Sequence, residues 1–226
     1  MNQIQSQRMI LVRGPPGGRG PKGPPGSSGS PGSPGSPGSP GSPGPGGVKY
    51  VRWGRTTCPY GASLVYKGRI GGELYTHKGG GAQYVCLTEH PRYANYKDGL
   101  GSESGNMWGT EYEIPGFNPF STGGLSQHDA VCAVCHVRTR GSQLMIPGTY
   151  ICPSDWTREY HGYLMSEKFY HHSSQYICVD RNAEYVPGSG GNRNGALLYL
   201  VAGICGALPC LPYVEGRQLT CAVCSK

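Results

Sequence analysis

The stretch GSPGSPGSPGSPGSPG, from Gly29 to Gly44, sets glycine at every third position with only serine and proline between. The register continues outward on both sides. Glycine falls at 14, 17, 20, 23, 26, 29, 32, 35, 38, 41, 44 and 47, twelve times without a miss. A flexible Gly/Ser linker needs composition but not phase. Three polyproline-II chains wound about one axis do need phase, because only a hydrogen side chain fits at the axis. The stretch therefore predicts a short collagen triple helix over residues 14–47, preceded by a tail at 1–13. A disordered linker would explain the residues but not their unbroken period.

Parsed from Gly14, the third position of the triplet is proline at Pro16, Pro25, Pro31, Pro34, Pro37, Pro40 and Pro43. Hydroxyproline commonly occupies that position, which makes these seven candidates for hydroxylation. Lys22 stands in a third position too and is a candidate for hydroxylation or cross-linking. At a rise of ~3 Å per residue the rod is about 100 Å long, too short for lateral packing in a long staggered array.

Charge is unevenly placed. Residues 1–72 hold nine Lys and Arg and no acid, so the net charge of +7 lies beside the rod. A basic rod can attract sulfated glycans or other anionic matrix. The plainer alternative is a stalk kept soluble by scattered charge. No aromatic–basic platform accompanies the charge, so nucleic acid is not an expected partner.

From Tyr50 onward, tyrosine, tryptophan, valine, leucine and isoleucine return in globular amounts, and residues 48–226 are enough for a core of their own. Ten cysteines, an even number, point to an oxidising compartment, a disulfide framework and secretion. The opening MNQIQSQRMILVRG has only Met9–Leu11 as an apolar run, short of the ~7–15 residues of a secretory leader. The expectation is a chain that lacks the start of its precursor. No run reaches the ~18 apolar residues of a membrane helix; the most apolar, residues 196–205, reads as a buried strand.

The C-terminal part repeats itself at about 90 residues. AQYVCL at 82–87 returns as SQYICV at 174–179, and CAVC at 132–135 returns at 221–224. Cys58-Pro matches Cys152-Pro, and VYKGRI at 65–70 matches EYHGYL at 159–164. Glu73 and His77 share their offset with Glu167 and His171. This predicts two tandem homologous modules, 48–140 and 141–226, in an all-β, disulfide-rich domain. Short runs of β-branched and aromatic residues bounded by Gly, Pro, Asn and Ser support that class: SLVY, AQYVCL, AVCAVCHVRT, SQYICV, ALLYLV and LTCAVC. Residues 154–169 are the one contender for a helix, and Gly162 argues against it.

Cysteines three apart on a strand point to opposite faces, so Cys132 and Cys135, like Cys221 and Cys224, should each reach a different partner. Repeat logic groups Cys58, Cys86, Cys132 and Cys135 into two bridges and Cys152, Cys178, Cys221 and Cys224 into two more. Cys205 and Cys210 then staple a local loop. Pairing within each four stays open, as do bridges between chains. A zinc site on the paired Cys-x-x-Cys motifs is the rival reading, but 85 residues separate them, far beyond the usual loop of ~15–20. No catalytic motif accompanies the seven histidines, so no catalytic residue, metal or cofactor is expected. The sixteen tyrosines read as sheet residues.

Two function classes follow. One is an extracellular matrix structural protein whose C-terminal domain selects three chains and links them into a network or an attachment. The other is recognition, a lectin-like defence protein whose stalk gathers heads so that weak sites act together.

The rod followed by YVRWGRTTCP, LVYKG, YVCL, GTEYE, CAVC, LMIPG, GYLMS, YICVD, NGALLYLV and TCAVC resembles the short-chain, spongin-type collagens of sponges and similar secreted proteins of other invertebrates. The resemblance spans residues 14–226. It implies a secreted trimeric matrix collagen, homo- or heterotrimeric, with two further collagen chains and other matrix components as partners. That family has been likened to basement-membrane (type IV) collagen, whose C-terminal domain is also a tandem pair of disulfide-rich β modules. Four cysteines in the first half and six in the second depart from the six and six of type IV. The resemblance implies duplication and trimerisation, with folding that starts at the C-terminal domain and zips toward the N-terminus.

Overall fold

The computed structural model describes residues 13–38 and 46–226. The chain separates into two units, residues 1–42 and 43–226. In the first, residues 13–38 are exposed throughout and carry no helix or strand. Pro16, Pro25, Pro31, Pro34, Pro37 and Lys22 lie there; Pro40, Pro43 and the tail 1–12 fall outside the described residues.

The second unit is all β and carries five disulfides. Its first half contains β1 (Val48–Trp53), β2 (Ser63–Gly72), β3 (Val85–Thr88), β4 (Trp108–Glu113) and β5 (Val131–Val137). Its second half contains β6 (Gln143–Pro147), β7 (Thr157–Ser166), β8 (Ile177–Asp180), β9 (Ala196–Leu200) and β10 (Thr220–Ser225). One pairing pattern serves both halves. The last strand lies antiparallel between the first and second, as β1-β5-β2 and β6-β10-β7. The third and fourth strands both pair with the second, β3 and β4 with β2, β8 and β9 with β7.

The likeness extends to the irregularities. Val65 is the extra residue of a bulge in β2 and Glu159 that of a bulge in β7. Gly68 and Gly162 follow three residues later, and both are needed for the same reason. A Cβ at Gly68 would overlap the carbonyl oxygen of Leu87 in β3, and one at Gly162 would overlap that of Val179 in β8. Gly162→Ala should therefore prise β8 off β7 and lower stability by about 3 kcal/mol. Urea unfolding checks this against Lys67→Ala at an exposed strand position, which should move the midpoint little.

The halves are interlocked rather than adjacent. Parallel β4–β9 pairing and a parallel bridge Trp53↔Val179 between β1 and β8 join them. Seven strands thus close a circuit, β7-β8-β1-β5-β2-β4-β9 and back to β7. β5, held between β1 and β2, is buried over nearly its whole length, as expected of a strand covered on both faces. Its two cysteines diverge as period two requires: Cys132 enters the cluster around Ile70, Tyr112 and Leu198, Cys135 the one around Tyr50, Tyr160 and Leu164.

Strands match each of the six runs singled out in the sequence, and the stretch considered for a helix holds β7. β1, β4 and β6 were not among those runs. VKYVRW and WGTEYE bury polar residues that meet the other half: Tyr50 reaches Glu159, Arg52 reaches Asp180, Glu111 accepts from the Arg193 amide and Tyr112 donates to the Glu184 carbonyl.

Candidate functional site

β1 is one of the strands through which the halves meet, beside β4, and its alternation divides the work. Val51 and Trp53 pack on one core cluster, while Tyr50 belongs to the other. The Tyr50 hydroxyl donates to Oε2 of buried Glu159 at 2.8 Å. Burial, with the nearby Glu159 carboxylate adding to it, pushes the Tyr50 phenol well above its ordinary value. The other Glu159 oxygen accepts from Arg140 at 2.6 Å and from the Ser225 hydroxyl.

Two residues on, Arg52 directs Nε and Nη2 to Oδ2 of Asp180, at 2.8 and 2.7 Å. The Asp180 side chain is 2% exposed and Arg52 is 12% exposed. Oδ1 of Asp180 accepts from the Asn182 amide at 2.8 Å, and Arg52 Nη1 donates to the Thr57 carbonyl at 2.9 Å. Every charged atom of the pair is therefore hydrogen-bonded, as a buried ion pair requires. The Arg52 guanidinium also lies 5.9 Å from the Tyr160 ring centre. The Tyr160 hydroxyl reaches the carbonyls of Val51 and Cys178 at 3.1 and 3.0 Å, and burial raises its phenol pKa. Beyond the strand, Arg55 pairs with Glu184 at 2.9 Å. The joint is a set of polar locks between residues more than a hundred positions apart.

All ten cysteines are bridged. Cys58–Cys135 and Cys86–Cys132 lie within the first half; Cys152–Cys224 and Cys178–Cys221 are their repeat counterparts in the second. Cys205–Cys210 closes a five-residue loop. The Cys-x-x-Cys pairs thus do not converge on a metal: each of their four thiols is bonded outside its own motif. Among the described residues the one cluster of metal-type ligands is Cys205, Cys210 and Glu215, and its two sulfurs are bonded to each other.

The repeat-matched Glu–His pairs form alike. His77 Nδ1 is 2.8 Å from Glu73 Oε1, and His171 Nδ1 is 2.7 Å from Glu167 Oε2. Glu73 also accepts from the Leu74 amide and Glu167 from that of Leu197. Burial raises the Glu167 carboxyl above its ordinary value, and the ring of Tyr75, from the first half, lies tilted against that of His171 with centres 4.6 Å apart. A cleft of about 240 Å³ lies between the two loops, lined by Glu73, Tyr75, His77, Tyr84, Glu167 and His172. The carboxylates are engaged with backbone amides and imidazoles, so the pairs act as clamps on the turns that carry them.

Repeat matching in the sequence points to the Glu–His pairs and the cysteines. It does not point to Tyr50, Arg52, Glu159 and Asp180, because these are where the halves differ. No protein-family model matches the sequence.

Proposed function

We propose that the protein is a secreted short-chain collagen of the extracellular matrix, in which two copies of one β module form a head that gathers three chains and starts their triple helix. The observation that carries this reading concerns the glycines. At each in-phase glycine from Gly14 to Gly38, a Cβ would meet no atom of the described residues within 4 Å. Among the described residues nothing in a single chain asks for glycine there, whereas three chains about an axis ask for it at every third residue. Gly47 differs: a Cβ there would overlap the His136 ring and crowd the Val137 carbonyl, so the β domain itself fixes that position.

Five disulfides suit the oxidising compartment of a matrix protein, and among the described residues no helix is long and apolar enough to cross a membrane. Joining three ends at the head reduces the entropy cost of starting the rod, which then propagates toward the N-terminus. Gly32→Ala tests the reading. The variant should lose the triple-helical circular dichroism band and the pepsin resistance of residues 14–47, with the β domain intact. Equal spectra and equal cleavage of both proteins would overturn it.

A further inference from the structure

The repeat that relates the two halves also relates their surface charges, and at one place the relation fails. Through the pairing registers, Lys67 and Arg69 of β2 correspond to His161 and Tyr163 of β7. Glu89, just past β3, corresponds to Arg181, just past β8, and Asp129 corresponds to Gln218. In the first half each cation has its acid: Lys67 pairs with Glu89 at 3.3 Å and Arg69 with Asp129 at 3.2 Å. In the second half both acids are gone. One has become a glutamine and the other an arginine, so His161 neighbours a guanidinium where Lys67 neighbours a carboxylate.

The unmatched charges gather round a hollow of about 380 Å³, lined by Tyr150, His161, Gly162, Tyr163, Arg181 and Thr220. Arg158 brings a third cation beside it. Its Nη1 donates to the Tyr150 carbonyl at 2.9 Å, and the Tyr150 ring lies tilted against that of His161 with centres 6.0 Å apart. The position of Arg158 is held in the first half by Leu64, so this charge too belongs to the second half alone. Burial, and after it the Arg158 and Arg181 guanidiniums, hold the His161 imidazole below its ordinary value, against the opposing Asp180 carboxylate. That carboxylate is committed to Arg52, and Tyr150, Tyr163 and Thr220 on the other sides bring no charge. Among the described residues neither Arg158 nor Arg181 pairs with an acid.

We infer that this hollow binds a carboxylate from a partner protein, an Asp or Glu side chain or a chain terminus, which takes beside His161 and Arg181 the place that Glu89 takes beside Lys67. An arginine fork matches a carboxylate in geometry as well as in charge. The Thr220 hydroxyl adds a donor, and Tyr150 and Tyr163 offer flat walls to the groups that flank the acid. The seat is local. Residues 141–226 hold six Lys and Arg against six Asp and Glu, so this half has no net field of the kind that gathers polyanionic chains. A ligand with one or two negative charges suits it better than a polysulfated glycan. The inference goes beyond the trimeric reading and does not depend on it, since one chain supplies the whole seat.

The test uses the full-length, disulfide-intact chain and two peptide probes, acetyl-Gly-Glu-Gly-amide and acetyl-Gly-Gln-Gly-amide, with binding read from the NMR shifts of the His161 ring. The Glu probe should bind at least about tenfold tighter than the Gln probe. It should also raise the titration midpoint of His161, because an anion beside the ring favours its protonated form. Arg181→Glu gives the chain its own carboxylate where Glu89 serves Lys67, and should weaken the Glu probe by more than about tenfold; Arg181→Gln should weaken it less. Arg181 is exposed, so both variants should keep the fold, which their native disulfides and β spectrum verify. Equal affinity for the two probes, no binding of either, or undiminished binding by Arg181→Glu would overturn the site. Heparin that displaces the Glu probe and binds Arg181→Glu tenfold more weakly than the wild type would overturn the choice of partner in favour of a sulfated glycan.

Discussion

Replacing Asp180 by alanine should destabilise the β domain by about 3–5 kcal/mol, because it leaves the Arg52 guanidinium buried without its counter-charge. The size follows from geometry. Two Arg52 nitrogens converge on one oxygen of a carboxylate that is 2% exposed, and the Arg52 side chain is itself only 12% exposed. The exposed pair Lys67–Glu89, at 3.3 Å, should contribute less than about 1 kcal/mol on the same scale. Arg52→Met with Asp180→Leu should recover most of the loss, since a buried ion pair is costly to break and cheap to replace with matched apolar groups. A double-mutant cycle in urea checks all three. A loss from Asp180→Ala no larger than that from Glu89→Ala would mean that the joint does not hold the halves together.

Removing the Cys58–Cys135 bridge by paired alanine substitution should cost about 4 kcal/mol, given the 77 residues it spans and the loop entropy it withholds from the unfolded chain. Cys152–Cys224, with a separation of 72, should cost nearly the same. Cys205–Cys210, with a separation of five, should cost only about half as much by the same entropy relation. Losing two of the long bridges would consume most of the ~5–15 kcal/mol that holds a typical domain folded. Reduction should therefore unfold the domain outright at neutral pH. Denaturant titration of the paired variants without reductant gives the order; a short-loop bridge that matters as much as the long ones would contradict it.

Much of this architecture is legible in the residues. VYKGRI against EYHGYL and the twin CAVC motifs mark a repeated β unit whose bridges pair by repeat. Opposite faces for Cys132 and Cys135 follow from strand period alone. Legibility ends where the halves cooperate. Arg52 in VKYVRW and Glu159 in TREYHGYLMS read as surface charges, since burial of either depends on a residue over a hundred positions away. β6 is equally obscure: QLMIP does not alternate, and its place as an edge strand emerges only from its register against β10. The closed seven-strand circuit is likewise beyond local pattern, because it is made by the parallel contacts β4–β9 and β1–β8 between the halves. The signal that was available is subtler: positions 50, 52, 159 and 180 break the repeat, and they break it as complementary pairs.

Sedimentation equilibrium of the full-length, disulfide-intact chain, at a temperature where the rod is folded, tests the central claim most directly. The account predicts a single species of three times the chain mass that persists on dilution. A species of one chain mass, with residues 14–47 open to protease, would contradict it.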